Sequence, residues 1–259
     1  MESRFRPFTY SSDSNGKIEH ALRTIKSTYN VDAFVKPKQL IKFGRNSNIG
    51  TTEETVWLLG GNETYQTGNT INTVVSSDAG DTQDIVIEGH TIDGSGNFTF
   101  VVQSVTLNGT TNVPLTTPLA RATRIFNNDS TDFAGTVTFF VDGGTTHLST
   151  NGSNNQSLKC ATTISTVDYW ILLGWKVSVR RDASQTRRVD FKLQVRNKGK
   201  VTTEVGTVVG NFAVPIIVPS NSDFRVTAIS SGTATEVESV VSGILATTDL
   251  SQLDGDGDE

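Results

Sequence analysis

The 259-residue sequence predicts an all-β fold: an antiparallel β-sandwich of jelly-roll type, with a short N-terminal helix and an extended N-terminal arm. Three observations carry this. Thr, Val and Ile together number 79, against 47 for Ala, Leu, Glu and Lys, a balance that favours pleated strands over helices. Asp84 to Leu119 reads as three strands joined by Asp93-Gly94-Ser95-Gly96-Asn97 and Asn108-Gly109. Asn-Gly between β-rich runs predicts a type I′ hairpin, because both central residues of that turn need φ > 0. Finally, about a dozen short runs recur at the spacing of sandwiches and barrels, with no βαβ alternation that would build a parallel sheet.

The first residues, 1–13, read as irregular. Asp13-Ser14-Asn15 supplies capping oxygens, and Ile18, Ala21, Leu22, Ile25 and Tyr29 share one helical face. A helix from Gly16 to Thr28 follows. It is too short to stand alone, so it closes one end of the sandwich or docks on a neighbouring subunit. Asp32 to Gly44 is extended: Pro37 disfavours helix at Lys36, and Phe34, Leu40, Ile41 and Phe43 alternate with Lys36, Lys38 and Lys42. This stretch reads either as an arm laid across another protein or as the first edge strand. With the loop after it, residues 1–54 form an N-terminal arm.

The body is expected over 55–248, before an acidic tail at 249–259. It opens with a buried strand at Val56-Trp57-Leu58-Leu59 and continues with Asn69–Ser76, the 84–115 hairpins, Arg121–Asn127 and Gly135–Val141. Leu158–Val167 leads into Tyr169–Leu173. Lys176–Arg181 and Arg188–Arg196 are expected to pair as a hairpin. Gly206–Val218, with Pro215 and Pro219 at an edge or end, Asp223–Ser230 and Glu236–Ala246 complete it. Polar turns cluster at 142–157, the one place a boundary would fall, but neither half shows a linker, so one continuous sandwich is expected.

Charge is distributed unevenly. Residues 1–50 carry a net +5 and residues 51–259 a net −10, together the −5 of the chain. Within 176–200 the net charge is +7, and Lys176, Arg180, Arg188, Lys192 and Arg196 fall opposite Val189, Phe191, Leu193 and Val195. This stripe, with Lys36, Lys38 and Lys42, is the candidate partner interface. An acidic surface would answer it, such as another copy of the chain, although a solvated face has the same pattern. Nucleic acid would use such a stripe through phosphates, but the interleaved aromatics of a single-strand binder are absent, so specific nucleic-acid binding is not expected.

Several chemistries find little support. A single cysteine, Cys160, excludes an internal disulfide framework, and His20, His90 and His147 lie far apart in sequence, so neither a metal nor a cofactor is expected. The tail Asp254-Gly255-Asp256-Gly257-Asp258-Glu259 has Ca²⁺-loop spacing without the loop's central Gly and closing Glu, and reads as a solvated acidic segment. Asp93-Gly94-Ser95-Gly96-Asn97 has ligand oxygens, but a turn needs the same residues. No Gly-x-Ser-x-Gly elbow or P-loop occurs. A glycosidase carboxylate pair is defined by geometry that sequence does not display. Cys160 reads as a small core residue, and the chain is not expected to be an enzyme. No apolar run reaches the roughly 20 residues of a membrane span, and the N-terminus lacks the apolar core of a signal peptide. A soluble product of a cytoplasm, without a membrane partner, is the expectation.

One resemblance adds to this. Val56-Trp57-Leu58-Leu59-Gly60-Gly61-Asn62, Tyr65, Gly89-His90-Thr91-Ile92-Asp93, Val105-Thr106-Leu107-Asn108-Gly109-Thr110-Thr111 and Val218-Pro219-Ser220-Asn221-Ser222-Asp223-Phe224-Arg225-Val226 occur in that order. The arrangement resembles β-sandwich virion proteins of marine tailed phages, including podophages of cyanobacteria and other oceanic bacteria, and spans about 200 residues. The resemblance implies a non-enzymatic structural protein of a virion, made in the host cytoplasm. Its partners would be copies of itself and neighbouring virion proteins. Capsid decoration, head fibre and tail component all stay open. The rival expectation is a carbohydrate-binding adsorption module, which needs aromatic platforms; Tyr65, Trp170 and Trp175 are the candidates.

Overall fold

The computed structural model describes residues 12–29, 38–141, 144–150, 154–180, 187–197, 203–206, 210–232 and 235–248. Helix α1 spans Ser12–Tyr29. The strands are β1 (Lys38–Ile49), β2 (Glu54–Thr55), β3 (Ile71–Ser76), β4 (Asp84–Ile92), β5 (Phe98–Thr106), β6 (Val113–Leu119), β7 (Arg121–Asn127) and β8 (Val137–Phe140). They continue with β9 (Thr146–Ser149), β10 (Ala161–Ile164), β11 (Asp168–Arg180), β12 (Val189–Asn197), β13 (Thr203–Gly206), β14 (Gly210–Val218), β15 (Ser222–Ser230) and β16 (Thr235–Thr247). Every pairing between them is antiparallel. The all-β sandwich with its N-terminal helix is therefore what the chain forms.

Two sheets, ordered β1-β16-β11-β14 and β10-β15-β12-β13, face each other. Numbering their eight strands in chain order gives 1-8-3-6 over 2-7-4-5, the order of a jelly roll. Short β2 continues the edge that β10 begins on β15. Between the sheets lies a core that includes Trp170, Trp175, Phe191 and Phe224. Alternation alone would turn Trp175 away from Trp170. A register shift between Leu172 and Gly174 inserts one residue and returns Trp175 to the inner face. Helix α1 packs outside the first sheet, where Ala21 and Ile25 cover Tyr169, Ile171 and Ala246.

A second sandwich is inserted between the first and second strands of the jelly roll. Its sheets, β6-β3-β8-β9 and β5-β4-β7, enclose a separate core that includes Val74, Ile87, Leu119, Ile125 and Phe139. The single continuous sandwich of the sequence reading is thus two packed sandwiches. Polar turns, not a linker, mark the passage between them, which is why no boundary was visible.

Other expectations change. The boundary at residue 54 does not divide an arm from a body among the described residues. Lys38–Ile49 is an edge strand of the jelly roll, in register with β16 from Lys38↔Leu245 onward. Lys36, residues 1–11, the turn 181–186 and the tail 249–259 lie outside the described residues. Val56–Leu59 is not a regular strand; Trp57 bridges Lys159. The 93–97 turn does close a hairpin, Ile92↔Phe98, but β5 and β6 belong to different sheets. Only Gly109 of Asn108-Gly109 has positive φ, so the turn carries the chain across the sandwich and is not type I′.

Candidate functional site

The two sandwiches meet along a polar seam. From the inserted one, Arg121 on β7 donates to Asp223 on β15, Nε to Oδ1 at 2.8 Å and Nη2 to Oδ2 at 3.1 Å, with both side chains buried. Asp223 also accepts from Thr163 Oγ1 at 2.7 Å and Arg196 Nη2 at 2.7 Å. Burial raises the Asp223 pKa, but these donors outweigh it and hold the carboxyl below its ordinary range. Tyr65 lies under the Arg196 guanidinium at 3.8 Å and the Arg121 guanidinium at 4.9 Å. Nearby, Lys159 pairs with Glu63 and donates to the Ala122 carbonyl at 2.8 Å, all within the interior.

Beside the seam opens a cleft of about 1100 Å³, flanked by β1 and by the β4–β5 hairpin. Lys42 leaves β1 on the side of Leu40, which packs on the jelly-roll core. It is buried, and its ammonium makes no hydrogen bond or ion pair among the described residues. Burial lowers its pKa to about 8. The Glu88 carboxylate pulls upward, while Arg124 and Lys159 push further down. His90 on β4 is buried too, and its Nδ1 has no partner. Burial, then the charge of Lys42, lowers its pKa to about 3, so it is a neutral imidazole at physiological pH. Phe100, 48 % exposed, stands edge-on to His90 at 5.3 Å and forms part of the wall. Eleven of the 27 lining residues are Ser, Thr, Asn or Gln.

The cleft can therefore hold a polar ligand with a negative group: its lining combines the buried Lys42, hydroxyls and amides, and the exposed ring of Phe100. Among the described residues no cluster of His, Cys, Asp and Glu has metal-binding geometry. In the 93–97 turn, the Asp93 carboxylate accepts from Ser95 N and Asn97 N at 2.9 and 2.8 Å, so the turn itself uses those oxygens. Cys160 is a buried core residue whose thiol burial pushes up to about 12. No described helix is long and apolar enough to cross a membrane.

The expected basic hairpin does not form. Lys176 and Arg180 lie on β11, which pairs with β14 and β16, while Arg188, Lys192 and Arg196 are on or beside β12, which pairs with β13 and β15. The alternation within each run was correct, but its partner was not, because this jelly roll sends β11 and β12 to opposite sheets. Carboxylates of the chain itself answer the stripe: Glu236 meets Arg180 at 3.5 Å, Asp190 meets Arg188 at 2.8 Å, Glu53 meets Lys192 at 3.1 Å and Asp223 meets Arg196 at 2.7 Å. Of the lysines proposed on the N-terminal stretch, Lys38 is exposed on the cleft rim and Lys42 is buried in it. Trp170 and Trp175 are wholly buried and Tyr65 is held at the seam, so none of the three is an open aromatic platform.

His90, Phe100, Arg121 and Arg124 were not singled out in the sequence. A signal existed for Asp223 and Arg225, which alternate with the apolar Phe224 and Val226 and so must share one face. Comparison with protein-family models, curated proteins and solved structures finds no match to the chain.

Proposed function

We propose that the protein is a non-enzymatic structural component of a phage virion, an oligomeric capsid decoration or tail protein. The observation that carries this reading is the 1-8-3-6 over 2-7-4-5 strand order, an architecture used by viral capsid and lectin domains. Because one fold hosts many functions, the reading rests on strand order and the sequence resemblance together. The jelly roll supplies a rigid platform, and the inserted sandwich a second body carried by it. Contacts with other copies or neighbouring virion proteins would use the outer cations Lys176, Arg180 and Arg188, of which Arg180 and Arg188 keep about 77 % and 81 % of their side-chain surface open. The test is mass spectrometry of purified virions with copy number. Hundreds of copies fit capsid decoration, about a dozen fit the tail, and absence from the particle overturns the reading. Turnover of envelope glycans by the purified protein would contradict the non-enzymatic part. A carbohydrate-binding adsorption module is the second reading, and the cleft beside the seam is the observation that favours it.

A further inference from the structure

We infer that the cleft between the two sandwiches is a binding site for an acidic oligosaccharide, with Lys42 taking a uronate carboxylate and Phe100 taking the apolar face of a sugar ring. One fully buried polar atom there, the His90 Nδ1, has no hydrogen-bond partner, and the buried Lys42 beside it forms no ion pair among the described residues. Buried polar atoms are almost always satisfied, so an unsatisfied imidazole nitrogen beside a lysine without an ion pair marks a place where a ligand can supply the bond. The charge selects the sign. Lys38, Lys42, Arg124 and Lys159 line the cleft against Glu88 and Asp168. Lys159 is committed to Glu63, and Arg124 reaches Glu88 at 3.7 Å and Gln156 at 3.2 Å. That leaves Lys38 at the exposed end and the buried Lys42 as the lining cations outside any ion pair among the described residues, with Glu88 as the nearest charge of opposite sign on Lys42.

The walls select the class. Hydroxyls and amides, such as Thr99, Asn97, Gln39 and Gln156, both donate and accept, as sugar hydroxyls require. An acidic peptide would present mostly acceptors and would be served better by a wall of cations. Phe100 offers an aromatic face of the kind pyranose rings stack on, and its neighbour Ile41 is also exposed at the rim. An inward lysine on an edge strand also discourages edge-to-edge pairing, so the test must read ligand and not stability alone. The inference concerns the purified protein and stands apart from its place in a virion.

The experiment is calorimetric titration of the full chain with tetragalacturonate, with maltotetraose, and with a synthetic peptide of residues 250–259, at low ionic strength. Tetragalacturonate is expected to bind, and maltotetraose to bind at least about tenfold more weakly. Lys42→Gln and Phe100→Ala should each weaken tetragalacturonate by about tenfold or more, with folding checked by circular dichroism. An anion beside Lys42 favours its protonated form, so binding near pH 8 should take up protons, seen as heats that depend on the buffer's ionisation enthalpy. Phe100→Ala, an exposed position, keeps the test decisive if Lys42→Gln misfolds. No binding of tetragalacturonate at millimolar concentration, or binding unchanged in both variants, overturns the proposal. Tighter binding of the acidic peptide than of the sugar, lost in the same variants, overturns it in favour of a protein contact.

Discussion

The two sandwiches bury cores of similar size, sixteen and fourteen residues, yet they are built from sequence in opposite ways. The inserted one is contiguous: β3 to β9 follow one another, and no strand exceeds nine residues. Its turns are held by side chains of the same body. Asp81, for example, accepts from Ala134 N at 2.8 Å and Gly135 N at 3.0 Å, beside its contact with Ser76. The jelly roll begins with β1 and the short β2 and resumes only at β10, and its longest strands, β11 and β16, run thirteen residues each. Aromatic packing holds it, with Trp170 edge-on to Phe224 at 4.8 Å and Trp175 Nε1 donating to Ser239 Oγ at 2.9 Å. The contrast teaches that a short-range body can form early while a long-range one must wait for distant partners.

Removing Trp170 breaks the comparison most directly. Trp170→Ala should cost about 3–5 kcal/mol in chemical denaturation. In hydrogen exchange, the amides of Ile85, Ile87 and Ile125 should keep their protection while those of β11 and β16 lose theirs. Equal loss in both sandwiches would mean that the Arg121–Asp223 seam welds them into one cooperative unit.

The seam can be probed by pH. Lys42 has its folded pKa lowered to about 8 from an ordinary 10.5. Below about 8 it is charged in both states, and burying that charge costs the fold. Between the two values the unfolded chain binds more protons, so stability rises with pH. At 1.36 kcal/mol per pH unit, the rise attributable to Lys42 is at most about 2–3 kcal/mol. It should vanish in Lys42→Met when the two proteins are unfolded in denaturant at pH 8 and pH 10. His90 is already neutral there, so Glu88, Arg124, Lys159 and Cys160 are the remaining charged or titrating neighbours. An identical slope in the variant would assign the rise to other groups.

A turn of the inserted sandwich gives a smaller effect. Gly109 has φ +54°, and an added Cβ would lie 2.6 Å from the Ala79 carbonyl oxygen. Gly109→Ala should cost about 1–2 kcal/mol. Gly61, at φ +66° with open space around it, should lose less in the same thermal melt. The smallest change is expected at the surface of the jelly roll. Arg188→Glu should shift stability by no more than about 0.5 kcal/mol, and its readout is incorporation into particles.

What the sequence revealed follows the same division. Strand positions in the inserted body were legible to within a few residues, because each run is bounded by its own Gly, Asn or Asp turn; the exception is β9, Thr146–Ser149, which the polar residues of 142–157 concealed. Helix α1 was legible from Ile18, Ala21, Leu22 and Ile25, although it runs from Ser12 to Tyr29 and not only from residue 16 to 28. Pairing was not legible wherever a tight-looking turn crosses between sheets, as at Asn108-Gly109 and between Arg180 and Arg188. Alternation fixes which face a side chain takes, not which strand lies beside it. The site was least legible of all. His90 and Lys42 are 48 residues apart and on different sandwiches, and only the tertiary fold brings them to one cleft.

The insertion point carries its own consequence. Trp57 and Lys159 are bridged, so the chain leaves the jelly roll and returns to it across a single antiparallel pair, at a Cα separation of about 4.5–5.5 Å. Such a gate asks only that the two ends of the inserted body lie equally close, while the buried Arg121–Asp223 pair fits this body to its host. The jelly roll is in this sense a socket, with its opening at Trp57 and Lys159 and its latch at Asp223.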